Sequence, residues 1–218
     1  VFAKTCGAKV LLDDYILPCA FLVCRILKIN YDMKCLKAGI QDRRKAMSEP
    51  KRTGLLQLLG NSLGCQFVIP VYQRNYTWVA EREVKQYFDD LQSVLKGDYK
   101  NHFMGIIIYL EKAIDFSSRE FSIIDGQQRL TTTFLIIYAI KQMLVNCNDD
   151  EKVKQLEGQY LTNPYHNDKI KYKLKPLVSD DDVYRCIVED RMGDITDKKS
   201  NVLKNYQYIS NRLNELLL

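Results

Sequence analysis

The run IDGQQRLTTTF, residues 124–134, joins an extended apolar segment to a long helical one and constrains the fold more than any other part of the chain. The pair Asp125-Gly126 lies between the two segments and predicts a tight turn. The helix that follows begins with two glutamines and Arg129. A strand, a turn and a helix start in this order direct free backbone N–H groups and the positive end of the helix dipole at one point, which favours anion binding.

Two interpretations of this run stay open from the residues alone. In the first, its polar groups surround a bound anion and take part in chemistry, and Gly126 lets the backbone approach the ligand. In the second, Asp125 is a helix N-cap and Arg129 is a solvated residue of the first turn. The candidate catalytic residues are Asp125, Gln127, Gln128 and Arg129.

A second run, FVIPVYQRNYTW at residues 67–78, places the same Gln-Arg pair after another apolar strand, which Pro70 ends. Arginine binds phosphate through two parallel hydrogen bonds, and flat aromatic rings stack on bases or sugars. We therefore predict that the two runs bind one ligand and that Arg74 and Arg129 converge on one pocket. The candidate ligand-binding residues are Tyr72, Gln73, Arg74, Tyr76, Trp78, His102, Gly126 and Thr131.

Several of these candidates also have a structural interpretation. Tyr76 and Trp78 are either stacking platforms or core aromatics. Thr131 either donates its hydroxyl to a phosphate or bonds back to its own helix. His102 lies at a strand start, where a lone histidine is more often structural than an acid, a base or a phosphate ligand.

The two runs resemble the N-terminal domain of GmrSD-type modification-dependent restriction systems, a family of the ParB/sulfiredoxin-like superfamily. The resemblance is carried by IPVYQRNYTW and IDGQQRLTT, and HFMGIIIY matches the strand between them. KLKPLVSDDDVYRCIV and NYQYISNRL are similar to the less specific C-terminal pattern. The resemblance covers residues 55–218.

This resemblance implies a module that binds and hydrolyses a nucleoside triphosphate, with Mg²⁺ as cofactor, in bacterial defence against modified foreign DNA. Arg74 and Arg129 would hold the phosphates, and Gln127 or Gln128 would position water. DNA would be contacted through the full-length protein or a partner nuclease domain. The alternative is a non-catalytic ParB-like module that binds DNA or a nucleotide.

Other known sites do not match the sequence. There is no GxxxxGK[ST] loop and no GxGxxG, which excludes P-loop and Rossmann nucleotide sites. Only two histidines, His102 and His166, are present, so the His-Asn-His nuclease domain usual in the family is not in this chain. Seven widely spaced cysteines without CxxC fit no zinc pattern and indicate reduced thiols in a cytoplasmic protein.

Apolar spacing predicts an α+β fold: a small mixed β-sheet packed with helices and followed by a helical C-terminal part. The resemblance implies a ParB/sulfiredoxin-like arrangement. Predicted strands cover residues 66–69, 102–110, 119–124 and a lysine-blunted edge strand at 169–174. Predicted helices cover residues 53–62, 81–96, 127–146, 150–161, 179–189 and 201–217, and the third is the central one.

Residues 1–46 differ from the rest in charge, because their nine Lys/Arg and four Asp/Glu account for the whole net charge of +5. Any nucleic-acid contact of the neutral remainder must therefore come from a local patch. The apolar run at 15–24 is too short to span a bilayer and contains Pro18.

We interpret residues 1–46 as a non-native or poorly packed extension, and a native additional helix stays open as the alternative. The domain proper would cover residues 47–218 and fold without the extension. Its abrupt apolar end, Leu216-Leu217-Leu218, favours a domain that is cut from a longer protein.

Overall fold

The computed structural model describes residues 31–38, 51–96, 98, 102–166 and 168–216. The strands are β1 (Tyr31–Ala38), β2 (Lys51–Gly54), β3 (Cys65–Val68), β4 (His102–Ala113), β5 (Arg119–Asp125) and β6 (Leu174–Lys175). The α-helices are α1 (Leu55–Gly60), α2 (Lys85–Lys96), α3 (Gln127–Asn146), α4 (Asp150–Leu156), α5 (Val178–Val188) and α6 (Asn201–Glu215). A π-helical turn, Ala80–Val84, precedes α2, and another, Glu157–Leu161, follows α4.

These strands form one mixed sheet in the order β2-β1-β4-β5-β3-β6. β5, β3 and β6 run parallel to one another, whereas β4 is antiparallel to β5. β1 runs parallel to β4, and β2 pairs antiparallel with β1. The carboxyl ends of β3 and β5 and the first half of β4 therefore meet at one edge. The predicted α+β fold with a small mixed sheet is confirmed.

Helix α3 lies at the centre of the core, as its sequence predicted, and almost all of its side chains are buried. Phe134 of α3 packs against Phe67 of β3, with 6.2 Å between the ring centroids, and α6 also packs on α3. Each fully buried Leu, Ile or Phe contributes about 1.5–3 kcal/mol to folding. The burial of α3 fixes where its first turn lies relative to the sheet.

The predicted edge strand at 169–174 is wrong in its extent. Asp168–Ile170 is a 3-10 turn, and the edge strand β6 contains two residues beside β3. Lys173 was expected to point into solvent but is fully buried. Its Nζ donates to the carbonyl oxygens of Leu59 (2.8 Å) and Gln159 (2.7 Å). Local alternation did not reveal these acceptors, because they come from segments distant in sequence.

Strand β1 belongs to the extension of residues 1–46, where neither interpretation of the sequence predicted a strand. It pairs with β2 from Asp32 to Cys35 and with β4 along its whole length. Residues 1–30 and 39–46 lie outside the described part of the chain. The domain boundary at residue 47 therefore stays a prediction.

Cys65, Cys147 and Cys186 are free thiols, and the side chains of the other four cysteines lie outside the described residues. Burial raises the pKa of the Cys65 thiol. Among the helices described, none is long and apolar enough to cross a membrane.

Candidate functional site

The two Gln-Arg runs meet at the edge of the sheet where β3 and β5 end. A cavity of about 510 Å³ lies between them, and we call it the first cavity. Its lining consists of Gln73, Arg74, Trp78, Asp125, Gly126, Gln127, Gln128 and Arg129. The predicted convergence of Arg74 and Arg129 on one pocket is confirmed.

Gly126 shapes the turn that starts α3. It has φ +93° and is the residue before the first helical position, with no side-chain cap. A Cβ at this position would lie 2.8 Å from Ile107 Cγ1 and 3.0 Å from the Ile106 carbonyl oxygen. A side chain is therefore disfavoured by both conformation and space. The turn brings the first N–H groups of α3 to the first cavity, and such groups have no intrahelical partner.

Asp125 does not cap α3, so this part of the structural interpretation is wrong. Its side chain is 63% exposed, and Oδ2 lies 4.0 Å from Arg129 Nη2. A register irregularity between β4 and β5 falls next to it: Ile108 pairs with Asp125, whereas Tyr109 pairs with Ile123. Such bulges re-aim side chains at strand ends. The Asp125 carboxylate is consequently available at the cavity.

Three glutamines join the two runs to each other, and we call Gln73, Gln127 and Gln128 the amide clamp. Gln73 Nε2 donates to the Ile124 carbonyl (2.9 Å), and Gln127 Nε2 donates to the Arg74 carbonyl (3.0 Å). Each amide thus bonds to the backbone of the opposite run. The bond from Gln127 satisfies a carbonyl of the irregular segment after β3, and the bond from Gln73 satisfies one at the end of β5.

Gln128 uses both ends of its amide in the clamp. Its Nε2 donates to the Asn75 carbonyl (2.9 Å), and its Oε1 accepts from the N–H groups of Thr77 (2.9 Å) and Trp78 (3.3 Å). This arrangement favours a positioning role for Gln128 over the predicted positioning of water, because the side chain is buried and its hydrogen bonds are made.

Gln127 differs from Gln128 in one respect. The residue is only 6% exposed, yet its Oε1 has no hydrogen-bond donor among the described residues. A buried amide oxygen without a donor costs about 1–3 kcal/mol. Gln127 also lines the first cavity, so a rotation of its amide would offer this buried acceptor to a ligand.

The Arg129 guanidinium is held in place by the strand below it. The side chain is 25% exposed, and Nη2 donates to the Ile106 carbonyl (3.0 Å). Gly105, at φ +100°, makes room for it: a Cβ there would lie 1.4 Å from Arg129 Nη1. Sequence analysis missed Gly105, although an isolated glycine inside an apolar strand is a signal of close approach.

Arg74 is exposed, and its guanidinium has neither a hydrogen bond nor an ion pair with the residues that the structure describes. Only its backbone is fixed, through Gln127. The two arginines therefore differ: Arg129 is preorganised at the cavity wall, whereas Arg74 can move towards a ligand.

The aromatic candidates separate into three environments. Trp78 is half-buried and lines the first cavity, and its ring lies 5.7 Å from that of Tyr87. Tyr76 is buried, and its hydroxyl is 2.6 Å from Thr132 Oγ1. Burial raises the pKa of Tyr76 to about 12. The structure favours the core interpretation for Tyr76 and keeps Trp78 as a platform. Tyr72 is exposed and outside the lining.

Thr131 and His102 are not brought to the first cavity by anything that the structure describes. Thr131 is buried and does not belong to the lining. Its neighbours Thr132 and Thr133 bond back to the carbonyls of Gln128 (2.9 Å) and Arg129 (2.8 Å). His102 begins β4, and its side chain lies outside the described residues.

The C-terminal helices support the site, which sequence analysis did not foresee. Asn205 of α6 donates through Nδ2 to the Trp78 carbonyl (2.8 Å). Asp180 of α5 accepts from the Tyr76 N–H (2.9 Å), and burial raises the pKa of this carboxyl group. The sequence around Asn205, Asn-Tyr-Gln, contains no feature that indicates a role at the site. Asp180 belongs to an acidic run that is typical of a helix start.

The described side chains contain no group of three or more His, Cys, Asp or Glu that could hold a metal ion by themselves. Asp125 is the carboxylate in the lining of the first cavity. Mg²⁺ is commonly bound by one or two carboxylates together with substrate phosphates. A single exposed carboxylate at an arginine-lined cavity would fit that mode if phosphates are bound there.

The molecule is thus an α+β domain with a polar, arginine-lined cavity at the ends of its strands. The family model for the N-terminal domain of GmrSD restriction endonucleases matches residues 55–217. The chain belongs to this family and is part of a restriction and phage-defence system. A comparison with curated proteins finds no match.

Proposed function

We propose that this domain binds a nucleoside triphosphate in the first cavity and hydrolyses it as a module of the restriction system. The observation that carries the proposal is the meeting of Arg74, Arg129 and the start of α3 at one cavity. Two guanidinium groups and a helix N-terminus favour an anion of several charges over a neutral ligand.

The phosphate chain would be bound by groups of two kinds. Arg129 and the first N–H groups of α3 are preorganised, so their alignment costs little when the ligand arrives. The Arg74 side chain is exposed and makes no hydrogen bond or ion pair with the described residues, so it can close over the phosphate chain from the opposite run. Bidentate contacts from both arginines would orient the terminal phosphate for transfer.

The unsatisfied Gln127 Oε1 supports hydrolysis in addition to binding. An amide oxygen cannot bond to a phosphate oxygen, because both are acceptors. Turned towards the cavity, this oxygen would accept a hydrogen bond from a water molecule and hold that water for attack on phosphorus. Of the two glutamines predicted for this task, Gln127 is the one with a free acceptor.

Asp125 would hold Mg²⁺, directly or through water, next to the phosphates. When Mg²⁺ is bound, it neutralises part of the negative charge of the phosphates. The structure's own contribution is an exposed carboxylate that α3 does not use as a cap.

A non-catalytic binding module is the alternative, and the full engagement of Gln128 favours it. With Gln128 committed to the loop, water positioning depends on Gln127 alone. In either case we propose that DNA is contacted through the full-length protein or a partner nuclease domain.

Release of phosphate from each of the four nucleoside triphosphates with Mg²⁺ tests the proposal. We expect release by the wild-type domain and at least a tenfold loss in ligand affinity for Arg74→Ala, since a charged hydrogen bond contributes about 1.5–3 kcal/mol. Arg119→Ala is the matched control, because Arg119 is exposed and pairs with Glu111 (2.9 Å) outside the cavity lining.

Trp78 is the single tryptophan of the chain and lines the cavity, so its fluorescence reports binding directly. A fluorescence change without phosphate release would support the non-catalytic alternative. Absence of binding by inorganic triphosphate and by every nucleotide would overturn the proposal.

A further inference from the structure

A second cavity of about 210 Å³ adjoins the first, because Trp78 and Arg129 line both. The remaining lining residues are Glu83, Gln86, Tyr87, Asp90 and Phe103. Four of these five precede α3 on the π-helical turn and on α2, and Phe103 comes from the start of β4. A ligand bound in the first cavity can therefore extend past Arg129 into a chemically different environment.

Two aromatic side chains offer exposed surface in the second cavity. Phe103 is 56% exposed. Trp78 is half-buried, and Tyr87 supports its ring at 5.7 Å. The Tyr87 hydroxyl is bonded to Thr133 Oγ1 at 2.7 Å, which fixes the supporting ring to α3. Flat rings in this setting favour a planar, uncharged group.

The charges of the two cavities differ in sign. The first contains Arg74, Arg129 and one carboxylate, whereas the second contains Arg129 and the carboxylates of Glu83 and Asp90. A second phosphate is disfavoured next to these carboxylates. A ring that presents N–H donors is favoured, since carboxylates accept hydrogen bonds.

The polar side chains that line the second cavity can hydrogen-bond to the edge of such a ring. Glu83 Oε2 accepts from the Val79 N–H (2.9 Å), so its carboxylate is fixed relative to the loop that bears Trp78. Gln86 is exposed one helical turn before Asp90, so both side chains project from the same face of α2.

We propose that the second cavity is the nucleobase subsite of the nucleotide whose phosphates occupy the first cavity. The base stacks on Trp78 and Phe103 and directs its N–H donors to Gln86 and Asp90. The sugar lies next to Arg129, between the two cavities. The preferred ligand is then a nucleotide and not an inorganic polyphosphate. This inference rests on the proposed function.

Isothermal titration calorimetry with two probes tests the inference: inorganic triphosphate, and the β,γ-imido analogues of the four nucleoside triphosphates, each with Mg²⁺. We expect at least one analogue to bind the wild-type domain about tenfold more tightly than triphosphate, the size typical of one stacked base. Phe103→Ala should remove about tenfold of the analogue's affinity and leave that of triphosphate within about twofold.

Phe116→Ala is the matched control, since Phe116 is an exposed phenylalanine in the turn between β4 and β5. Gln86→Ala is a second test variant on an exposed helix position and should weaken analogue binding in the same selective way. Thermal melts of all three variants verify that they fold.

Equal binding of triphosphate and all analogues, or a Phe103→Ala effect that is the same for both probes, would overturn the base subsite while leaving the phosphate site intact. Failure of both probes to bind the wild-type domain would instead overturn the proposed function.

Discussion

Buried amide side chains hold irregular backbone at both ends of this sheet, and among the described residues the two ends differ in whether those amides are satisfied. Where β3 begins, Asn163 Nδ2 donates to the carbonyls of Cys65 (3.0 Å) and Ile170 (2.8 Å). Its Oδ1 accepts from the Gly64 N–H (3.2 Å). We call Asn163 and the buried Lys173 the rear polar cluster, and each of their side-chain nitrogen and oxygen atoms has at least one hydrogen-bond partner.

Where β3 and β5 end, the amide clamp uses the same chemistry with a different result. Gln128 is as fully bonded as Asn163. Gln127 Oε1, by contrast, lacks a donor among the described residues, and the Arg74 side chain has no partner there. Native proteins leave few buried polar groups unsatisfied, so an unsatisfied amide oxygen in the wall of an arginine-lined cavity favours a ligand there. We therefore interpret the rear polar cluster as structural and the clamp end as the candidate ligand site.

The largest expected effect is at the rear polar cluster. Asn163→Ala removes three hydrogen bonds to buried backbone groups and should lower the free energy of unfolding by about 3–4 kcal/mol, since each group left unsatisfied costs about 1–3 kcal/mol. Urea unfolding measures it. Asn146→Ala, at the exposed end of α3, is the control and should change stability by less than about 0.5 kcal/mol. A loss below about 1 kcal/mol for Asn163→Ala would break the comparison.

Gly126→Val should reduce both stability and ligand binding, because Gly126 belongs to the fold and to the cavity wall. The left-handed backbone and the contact at 2.8 Å predict a loss of about 2–4 kcal/mol in the free energy of unfolding. Gly158→Val is the matched control, because nothing lies within 4 Å of a Cβ there. Equal melting temperatures for the two variants would show that the turn before α3 is not strained by a side chain.

Lys173 makes the rear polar cluster sensitive to pH. Burial lowers the pKa of Lys173 to about 8 from the ordinary value of 10.5. Between these two values the unfolded chain binds more protons than the folded one, so stability should rise with pH. The expected gain is about 2 kcal/mol between pH 7 and about 9.5. The neutral amine retains two N–H donors for the carbonyls of Leu59 and Gln159.

Urea unfolding at a series of pH values measures this gain, and Lys173→Met should flatten the dependence. The raised pKa of the Cys65 thiol opposes this gain as pH rises through 9.0, and tyrosines with raised pKa, such as Tyr76, oppose it near pH 10. A pH dependence that Lys173→Met leaves unchanged would show that the pKa of Lys173 is not lowered in the folded protein.

The two arginines should differ in their contributions to stability. Arg129→Ala removes a hydrogen bond to the Ile106 carbonyl and the packing over Gly105, so we expect a loss of about 1–2 kcal/mol in the free energy of unfolding. Arg74→Ala should cost less than about 0.5 kcal/mol. Both variants should lose ligand affinity in the fluorescence titration. Equal stability losses would contradict the distinction between a preorganised and a mobile arginine.

The last prediction concerns the removal of residues 1–46, which takes away the strand that pairs with β2 and β4. Both ends of the sheet compared above lie within residues 55–217, the range that matches the family domain. We expect the shortened chain to keep a single cooperative thermal transition, although it lacks β1. A broad, non-cooperative melt would show that the pairing of β1 with β4 is required for folding.

The sequence predicted correctly those helices and strands that have strong periodicity. The bounds of α3 and the first residue of β5 agree with the predicted ones, because twenty residues of apolar helix and a strand next to Asp-Gly are strong local signals. It was less successful at 169–175, where the alternation of lysine with apolar residues suggested a solvated edge. The environment of Lys173 depends on Leu59 and Gln159, which local pattern does not contain.

The candidate site shows the same limit residue by residue. Sequence identified Arg74, Arg129 and Gly126 as cavity residues, since charge, turn chemistry and duplication are visible in the chain itself. It did not separate Gln127 from Gln128, which are neighbours of identical type. It also gave no reason to select Asn205, whose amide reaches Trp78 from a helix far along the chain.

The amino-acid sequence by itself determined the α+β class, the central helix, the turn at Gly126 and the residue types available for anion binding, because these depend on local periodicity, conformation and charge. Tertiary structure decided which polar groups are satisfied: Gln128 and Lys173 by distant carbonyls and N–H groups, Gln127 Oε1 by none that the structure describes. Hydrogen-bond satisfaction is a property of three-dimensional neighbours, so only the folded chain distinguishes a clamp from a ligand contact.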